Sequence, residues 1–357
     1  MKIWESNIRK VTPYVPGEQP KRTDVIKLNT NENPYPPSPK VAEALRQMNT
    51  EPMRKYPDPE ARMLVEAIAR EEGVASEQVF VGVGSDDVLA MIFMTFFNSP
   101  KPIFFPDITY SFYDVWADML RIPYEQKPLN DAFEIESGDY YPENGGVIFP
   151  NPNAPTGALL GLDVVEDILA HNQDVIVVVD EAYIDFGGMT CTGLLERYEN
   201  LIVVKTFSKS RSMAGMRIGY AIASAELIRY LNDVKYSFNS YTMNQTAIVL
   251  GAAAAEDHAY FEETRQKIIA TRENAKTELR KLGFSFADSM ANFLFVTHER
   301  VPAAELFAAL KEQGIYVRYF NKPRIDNYLR VTIGTDEEME RLYAFLREYL
   351  GENYGVL

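Results

Sequence analysis

Val175-Ile-Val-Val-Val179-Asp180-Glu181-Ala182-Tyr183 is an unbroken apolar run that ends abruptly in two carboxylates. An apolar run without polar alternation marks a strand buried on both faces, and hence a sheet with helices on each side. Working outward, Val79-Phe-Val81, Pro102-Ile-Phe-Phe105, Gly146-Val-Ile-Phe149, Leu201-Ile-Val-Val204 and Ile218-Gly-Tyr-Ala-Ile222 repeat the pattern. Between them, residues 86–97, 109–120 and 162–171 carry helical periodicity. This alternation predicts an α/β fold, three layers deep (α/β/α), around a mostly parallel sheet.

The flanks read differently. Asn31-Glu-Asn-Pro-Tyr-Pro-Pro-Ser-Pro39 is neither helix nor central strand, so residues 1–37 form an extended arm that lies on this chain or on a partner. Helical periodicity starts near Ser38, pauses at Tyr56-Pro-Asp-Pro59 and resumes over 60–72. After a long helical region, about 244–282, come strands at 292–296, 315–317 and 329–333 with helices at 302–313 and 335–349. The expected organisation is an arm (1–37), a large domain (38–282) and a small α+β C-terminal domain (283–357).

The 357 residues are 46% hydrophobic and 24% charged, which is ordinary for a globular protein. A net charge of −15, with no Lys/Arg-rich run, argues against a nucleic-acid binder. One cysteine, Cys191, rules out an intrachain disulfide and favours a reducing compartment. His171, His258 and His298 lie far apart, so no metal site is expected. The first residues carry no apolar signal segment, and the longest apolar run, 88–97, is too short to span a bilayer. The expectation is a cytoplasmic protein with no membrane role.

Ligands of open α/β sheets bind at the carboxyl ends of the strands, and the reactive residues fall there. In Thr206-Phe-Ser208-Lys209-Ser-Arg-Ser-Met-Ala214-Gly215-Met-Arg217, Lys209 is either a solvated lysine or a nucleophile held partly desolvated. Thr206, Ser208 and Arg217 are groups suited to a phosphate dianion. An amine beside a phosphate cradle suggests a Schiff base with pyridoxal phosphate (PLP). Asp180 is then either a turn residue or the partner of a pyridinium nitrogen, with Tyr183 able to donate to a ring oxygen. Gly82-Val-Gly84-Ser85-Asp86 opens a helix and is either an ordinary cap or an anion site. Tyr110 could stack on a flat ring or fill the core, and Asn151-Pro-Asn153 is a turn whose amide could reach a ring oxygen. Arg318 and Arg330 stand in or beside apolar strands, where a guanidinium suits an anion clamp.

Assembled, these segments resemble the fold-type I PLP-dependent aminotransferases, and among them the histidinol-phosphate aminotransferase family. The resemblance spans nearly the whole chain. It rests on Lys27-Leu-Asn-Thr-Asn-Glu-Asn-Pro-Tyr-Pro-Pro-Ser-Pro39, Arg54-Lys-Tyr56-Pro-Asp58, Gly84-Ser-Asp86, Tyr110-Ser-Phe, Asp180-Glu-Ala-Tyr183, Ser208-Lys209, Ala214-Gly-Met-Arg217 and Leu329-Arg330-Val-Thr-Ile-Gly-Thr335. It implies a homodimer whose arms contribute to the interface and the substrate site. Lys209 would carry PLP and shuttle the proton, Asp180 would face the ring nitrogen, Tyr183 the ring oxygen, and Tyr110 the ring plane. Gly84, Ser85, Asp86, Thr206, Ser208 and Arg217 would surround the phosphate, joined by Tyr56 from the neighbouring subunit. Arg330, Arg318, Asn33 and Tyr14 of the partner's arm would hold the substrate. One position departs: relatives carry asparagine directly before Pro-Thr-Gly, where this chain has Ala154, so Asn153 is expected to serve. The implied reaction moves an amino group between L-histidinol phosphate and 2-oxoglutarate, a step of histidine biosynthesis. Aromatic amino acid transamination and decarboxylation of an amino-acid phosphate fit the same motifs.

Overall fold

Both faces of the central strands are covered, which is why their sequences read as continuous apolar runs. The computed structural model describes residues 2–22 and 24–355. In the arm lies β1 (Ile26–Lys27). Then come α1 (Pro39–Gln47), α2 (Arg62–Glu72), β2 (Val79–Gly82), α3 (Ser85–Phe96), β3 (Ile103–Pro106), α4 (Tyr113–Leu120) and β4 (Tyr124–Lys127). The central sheet continues with β5 (Val147–Pro150), α5 (Leu162–His171), β6 (Val177–Asp180), β7 (Leu201–Thr206) and β8 (Gly219–Ala223).

The seven-stranded sheet has the order β2-β8-β7-β6-β5-β3-β4. Neighbours from β7 to β4 run parallel, while β8 is antiparallel to both β7 and β2. Successive side chains alternate between two packed faces. Val178, Ile202 and Val204 enter a core with Leu89, Phe93, Tyr113 and Trp116 of α3 and α4. Val177, Val179, Leu201 and Val203 pack instead with Val165, Ile168 and Leu169 of α5. Each such fully buried aliphatic side chain contributes roughly 1.5–3 kcal/mol.

Next come α6 (Ala225–Phe238), α7 (Gln245–Ala255) and α8 (His258–Lys281), then β9 (Phe284–Ser285), β10 (Phe293–His298) and α9 (Ala303–Glu312). The chain closes with β11 (Ile315–Tyr316), β12 (Arg318–Tyr319), β13 (Leu329–Thr332) and α10 (Asp336–Tyr354). A four-stranded antiparallel sheet, β12-β13-β10-β9, packs on α8, α9 and α10 through Phe293, Leu294, Ala275, Leu279, Leu306 and Leu342. The arm is tied here, because β1 pairs in parallel with β11.

Several elements differ from the sequence expectation. The helix expected from 109 begins at Tyr113, with residues 109–112 in a turn. The long helical region breaks at Glu256 and Asp257 into α7 and α8. The strand expected over 315–317 is two short strands with different partners. Elements not anticipated include the short strands β1 and β9, the polar edge strand β4, and α6, capped by Ser224, whose Oγ accepts from Leu227 N–H. No described helix is long and apolar enough to cross a membrane.

Candidate active site

The loops after β2, β5, β6 and β7 and the turn before β8 meet at the carboxyl ends of the parallel strands. They enclose a cavity of about 240 Å³ lined by Ser85, Asp86, Tyr110, Asp180, Tyr183, Thr206, Ser208, Lys209 and Arg217. An adjoining cavity of about 160 Å³ shares Tyr110, Tyr183 and Lys209 and adds Tyr14, Arg318 and Arg330. A wider groove of about 960 Å³, beside Lys101, Gln173 and Asn200, lies at the opposite ends of the strands. Strand direction selects the first two as the site.

Asp180 is the last residue of β6 and is 4% exposed. Oδ1 accepts from Ala182 N–H and Oδ2 from Tyr113 Oη, each at 3.1 Å. Burial pushes its carboxyl up to about 7, against the opposing pull of those two donors. Such a group discriminates sharply in favour of a ligand that brings a positive N–H.

Lys209 follows β7 in a turn. Its Nζ donates to Thr30 O at 3.1 Å and sits 5.6 Å from the centre of the Tyr183 ring. Asn33 grips the same turn from outside, its Nδ2 donating to Lys209 O at 3.0 Å and Ser210 O at 3.1 Å. The structure thus does not bring Asn33 to the cavity lining, because its amide is spent holding the lysine's backbone.

Hydroxyls and amides crowd the opposite end of the larger cavity. Gly84, at φ +86°, caps α3 and exposes that helix's first N–H groups beside Ser85. A Cβ at Gly84 would strike the Arg217 guanidinium, so glycine is what allows the arginine to lie over the helix start. Arg217 itself holds a left-handed backbone, φ +53°, a strain typical of functional sites. Its Nη2 reaches Asp86 Oδ2 at 3.2 Å, and Tyr110 Oη donates to Asp86 Oδ1 at 2.5 Å. Thr206 Oγ1 accepts from Ser208 N–H at 3.1 Å and lies 3.0 Å from Ser208 Oγ.

In the adjoining cavity Arg330 is half-buried, its guanidinium over Phe293 and Phe320 at 5.3 and 5.5 Å. Nη2 donates to Asn29 O at 3.1 Å, while Nε has no protein acceptor. Burial lowers its pKa. Arg318 binds Val15 O and Pro16 O. Tyr14, expected from a partner's arm, stacks on Phe112 of its own chain at 4.2 Å and lines its own chain's cavity.

Two more expected residues lie elsewhere. Asn153 is turned away: its Nδ2 donates to Ile108 O and Thr156 Oγ1, both at 3.0 Å, and Ala154 lines the cavity in its place. Tyr56 is 80% exposed and stacks on Tyr241, away from this cavity. Tyr113 and Asn31 were missed. Tyr113 lies three residues beyond Tyr110, which would put both on one face of the helix expected over 109–120, and that is the signal that could have found it. Among the described residues no cluster of His, Cys, Asp and Glu could hold a metal ion.

The donor set fits PLP. A buried carboxylate, an amine, and an anion cradle of helix N–H groups, hydroxyls and a guanidinium all face one cavity, matching a ring nitrogen, an aldehyde and a phosphate. The comparisons agree. A profile described as aminotransferase class I and II matches residues 23–346. The chain is 51% identical over 347 residues to a histidinol-phosphate aminotransferase of Lactococcus lactis subsp. cremoris, covering 97% of this chain and 98% of that protein. It is 52% identical over 351 residues to one from Acinetobacter baumannii, covering 98% and 97%. The crystal structure of histidinol-phosphate aminotransferase from Sinorhizobium meliloti in complex with pyridoxal-5'-phosphate shares the fold. It has a TM-score of 0.83 at 24% identity, covering 92% of this chain and 91% of that one. The chain therefore belongs to the aminotransferase class I and II family and, within it, to the histidinol-phosphate aminotransferases.

Proposed function

We propose that this chain is a PLP-dependent transaminase exchanging an amino group between L-histidinol phosphate and 2-oxoglutarate. One observation carries the reading: Lys209, Asp180 and the cradle around Ser85 and Arg217 share one cavity, and two arginines line the cavity next to it.

Bound PLP supplies an aldehyde that joins amines reversibly and a ring that draws electrons from the neighbouring carbon. Lys209 would anchor it, and its free amine is placed to take a proton from the substrate Cα and to return one, acting as base and acid. Asp180 would hold the ring nitrogen and keep it protonated. Tyr183 donates to the ring oxygen and Tyr110 covers the ring. Ser85, Thr206, Ser208 and Arg217 hold the phosphate together with the first N–H groups of α3. Arg330 binds the substrate's phosphate and, in the second half-reaction, a carboxylate of the acceptor, because a guanidinium fork suits both. Tyr56, exposed and remote from its own cavity, reaches the cofactor phosphate of a second copy, so the working unit is a homodimer. With a single, buried cysteine, the chain suits the cytoplasm.

The test is Lys209→Ala, which should abolish turnover and the visible absorbance of lysine-linked PLP. Steady-state transamination retained by that variant would refute the reading. A parallel comparison of kcat/KM for histidinol phosphate, phenylalanine and tyrosine fixes the substrate; higher values for the aromatic amino acids would replace histidinol phosphate.

A further inference from the structure

Asn31, in the arm, is 1% exposed and holds φ +56°, a left-handed backbone that asparagine tolerates better than most residues. Its N–H donates to Thr332 Oγ1, and the Thr332 hydroxyl spends its single hydrogen on Asn31 Oδ1, both at 3.0 Å. Its carbonyl accepts from Asn292 Nδ2 at 3.0 Å. With Oδ1 engaged on β13, the amide nitrogen faces the other way and donates to Tyr183 Oη at 2.9 Å. That nitrogen carries only hydrogens. Tyr183 is therefore the acceptor, and its own hydrogen is left for another partner.

We propose that Asn31 is a positioning residue that fixes the Tyr183 hydroxyl with its hydrogen directed to the cavity, as donor to the cofactor's ring oxygen. This rests on the reading of Lys209 as the PLP anchor. The need follows from this chain's own residues, because Ala154 has no side-chain amide and that of Asn153 is spent on Ile108 and Thr156. Tyr183 must supply the bond.

The proton on the lysine–cofactor linkage and the Tyr183 hydrogen compete for that oxygen. Deprotonating the linkage leaves the oxygen more negative, so the tyrosine bond favours the deprotonated form, and weakening the bond raises the linkage pKa. The charged groups around it are Asp180, Glu32, Asp86, Arg217, Arg318 and Arg330; Asn31→Asp adds a carboxylate to them, whereas Asn31→Gly leaves them unchanged.

The experiment titrates the visible absorbance of the holoenzyme against pH. Asn31→Asp keeps the shape and the left-handed preference but makes the position an acceptor, turning the tyrosine hydrogen away. An upward shift of about one unit is expected, and a much smaller one, due to the added charge alone, when Tyr183→Phe is already present. Asn31→Gly, uncharged and compatible with φ +56°, should shift the linkage upward by about half a unit and decides by the same criteria if the Asp variant does not fold. No shift, or an equal shift in the Tyr183→Phe background, overturns the proposal. A wild-type protein without a pH-dependent band that Lys209→Ala removes would instead overturn the anchor reading, and this proposal with it.

Discussion

The phenol of Tyr113 donates to Asp180 Oδ2 at 3.1 Å from a ring with no solvent exposure. Its ring meets Phe105 edge-on at 5.8 Å, so packing fixes where the oxygen sits. Burial opposes charge on Asp180, and this bond is one of two that oppose burial. Tyr113→Phe removes the oxygen and keeps the ring. The PLP dissociation constant should rise about tenfold, the scale of one hydrogen bond to a charged group, with the melting temperature little changed. Equilibrium binding followed by absorbance reads this. An unchanged constant would mean that the Ala182 N–H suffices alone.

Asp180 also predicts a pH dependence for the cofactor-free protein. Its folded-state carboxyl, at about 7, lies above the usual carboxylate value. Between roughly pH 4 and 7 the folded chain holds a proton that the unfolded chain has lost, so stability falls as pH rises through that window. The cost at pH 8 is at most about 4 kcal/mol, three units at 1.36 kcal/mol each. Asp180→Asn should remove it: the cofactor-free variant melts higher than wild type at pH 8 and about equally at pH 4, while binding PLP more weakly. Calorimetric melts across that range check it, and a parallel pH dependence in both proteins would defeat the argument.

The sheet was legible because two-sided burial writes itself as unbroken apolar runs, as at 175–179 and 201–204. The direction of β8 was not, since antiparallel and parallel central strands bury alike and Ile218-Gly-Tyr-Ala-Ile222 reads the same either way. β4 was invisible because an edge strand keeps polar residues such as Glu125 and Gln126 exposed. In the site, Asp180 and Lys209 stood out because each charge ends or follows a buried strand, and Arg217 because it stands just before one. Asn31 and Thr332, 301 residues apart, meet only in the fold. Asn33 and Asn153 were expected at a ligand, whereas each spends its amide on protein oxygens, Lys209 O and Ser210 O for the first and Ile108 O and Thr156 Oγ1 for the second. Contacts of that kind across the fold leave no mark in the sequence.

Tyr56 predicts a site shared between chains. A ring that is 80% exposed and stacked only on Tyr241 has little to gain for its own fold. In a mixed sample of Tyr56→Ala and Lys209→Ala chains, hybrid dimers should contain one site with both residues intact, so activity should exceed that of either parent after the two are mixed through partial unfolding. Equilibrium sedimentation at working concentration should show dimers. Mixed samples no more active than their Tyr56→Ala component would place the tyrosine outside the site.

Arg330 is the sharpest test of substrate recognition. It lies in β13, half-buried against Phe293 and Phe320, with one donor on Asn29 O and its buried Nε without a protein acceptor. A cation with a buried donor left over has a reason to be there if an anion completes it. Arg330→Ala should lower kcat/KM for histidinol phosphate by about 100- to 1000-fold, the 2–5 kcal/mol range for removing one member of a desolvated charge pair. Arg330→Lys should recover part of that loss, because it keeps the charge without the fork. PLP affinity should stay within about twofold in both variants, since the arginine borders the second cavity and not the cradle at Ser85. A loss under threefold in kcat/KM would move the clamp to Arg318, which lies against Val15 and Pro16 of the arm at the same cavity.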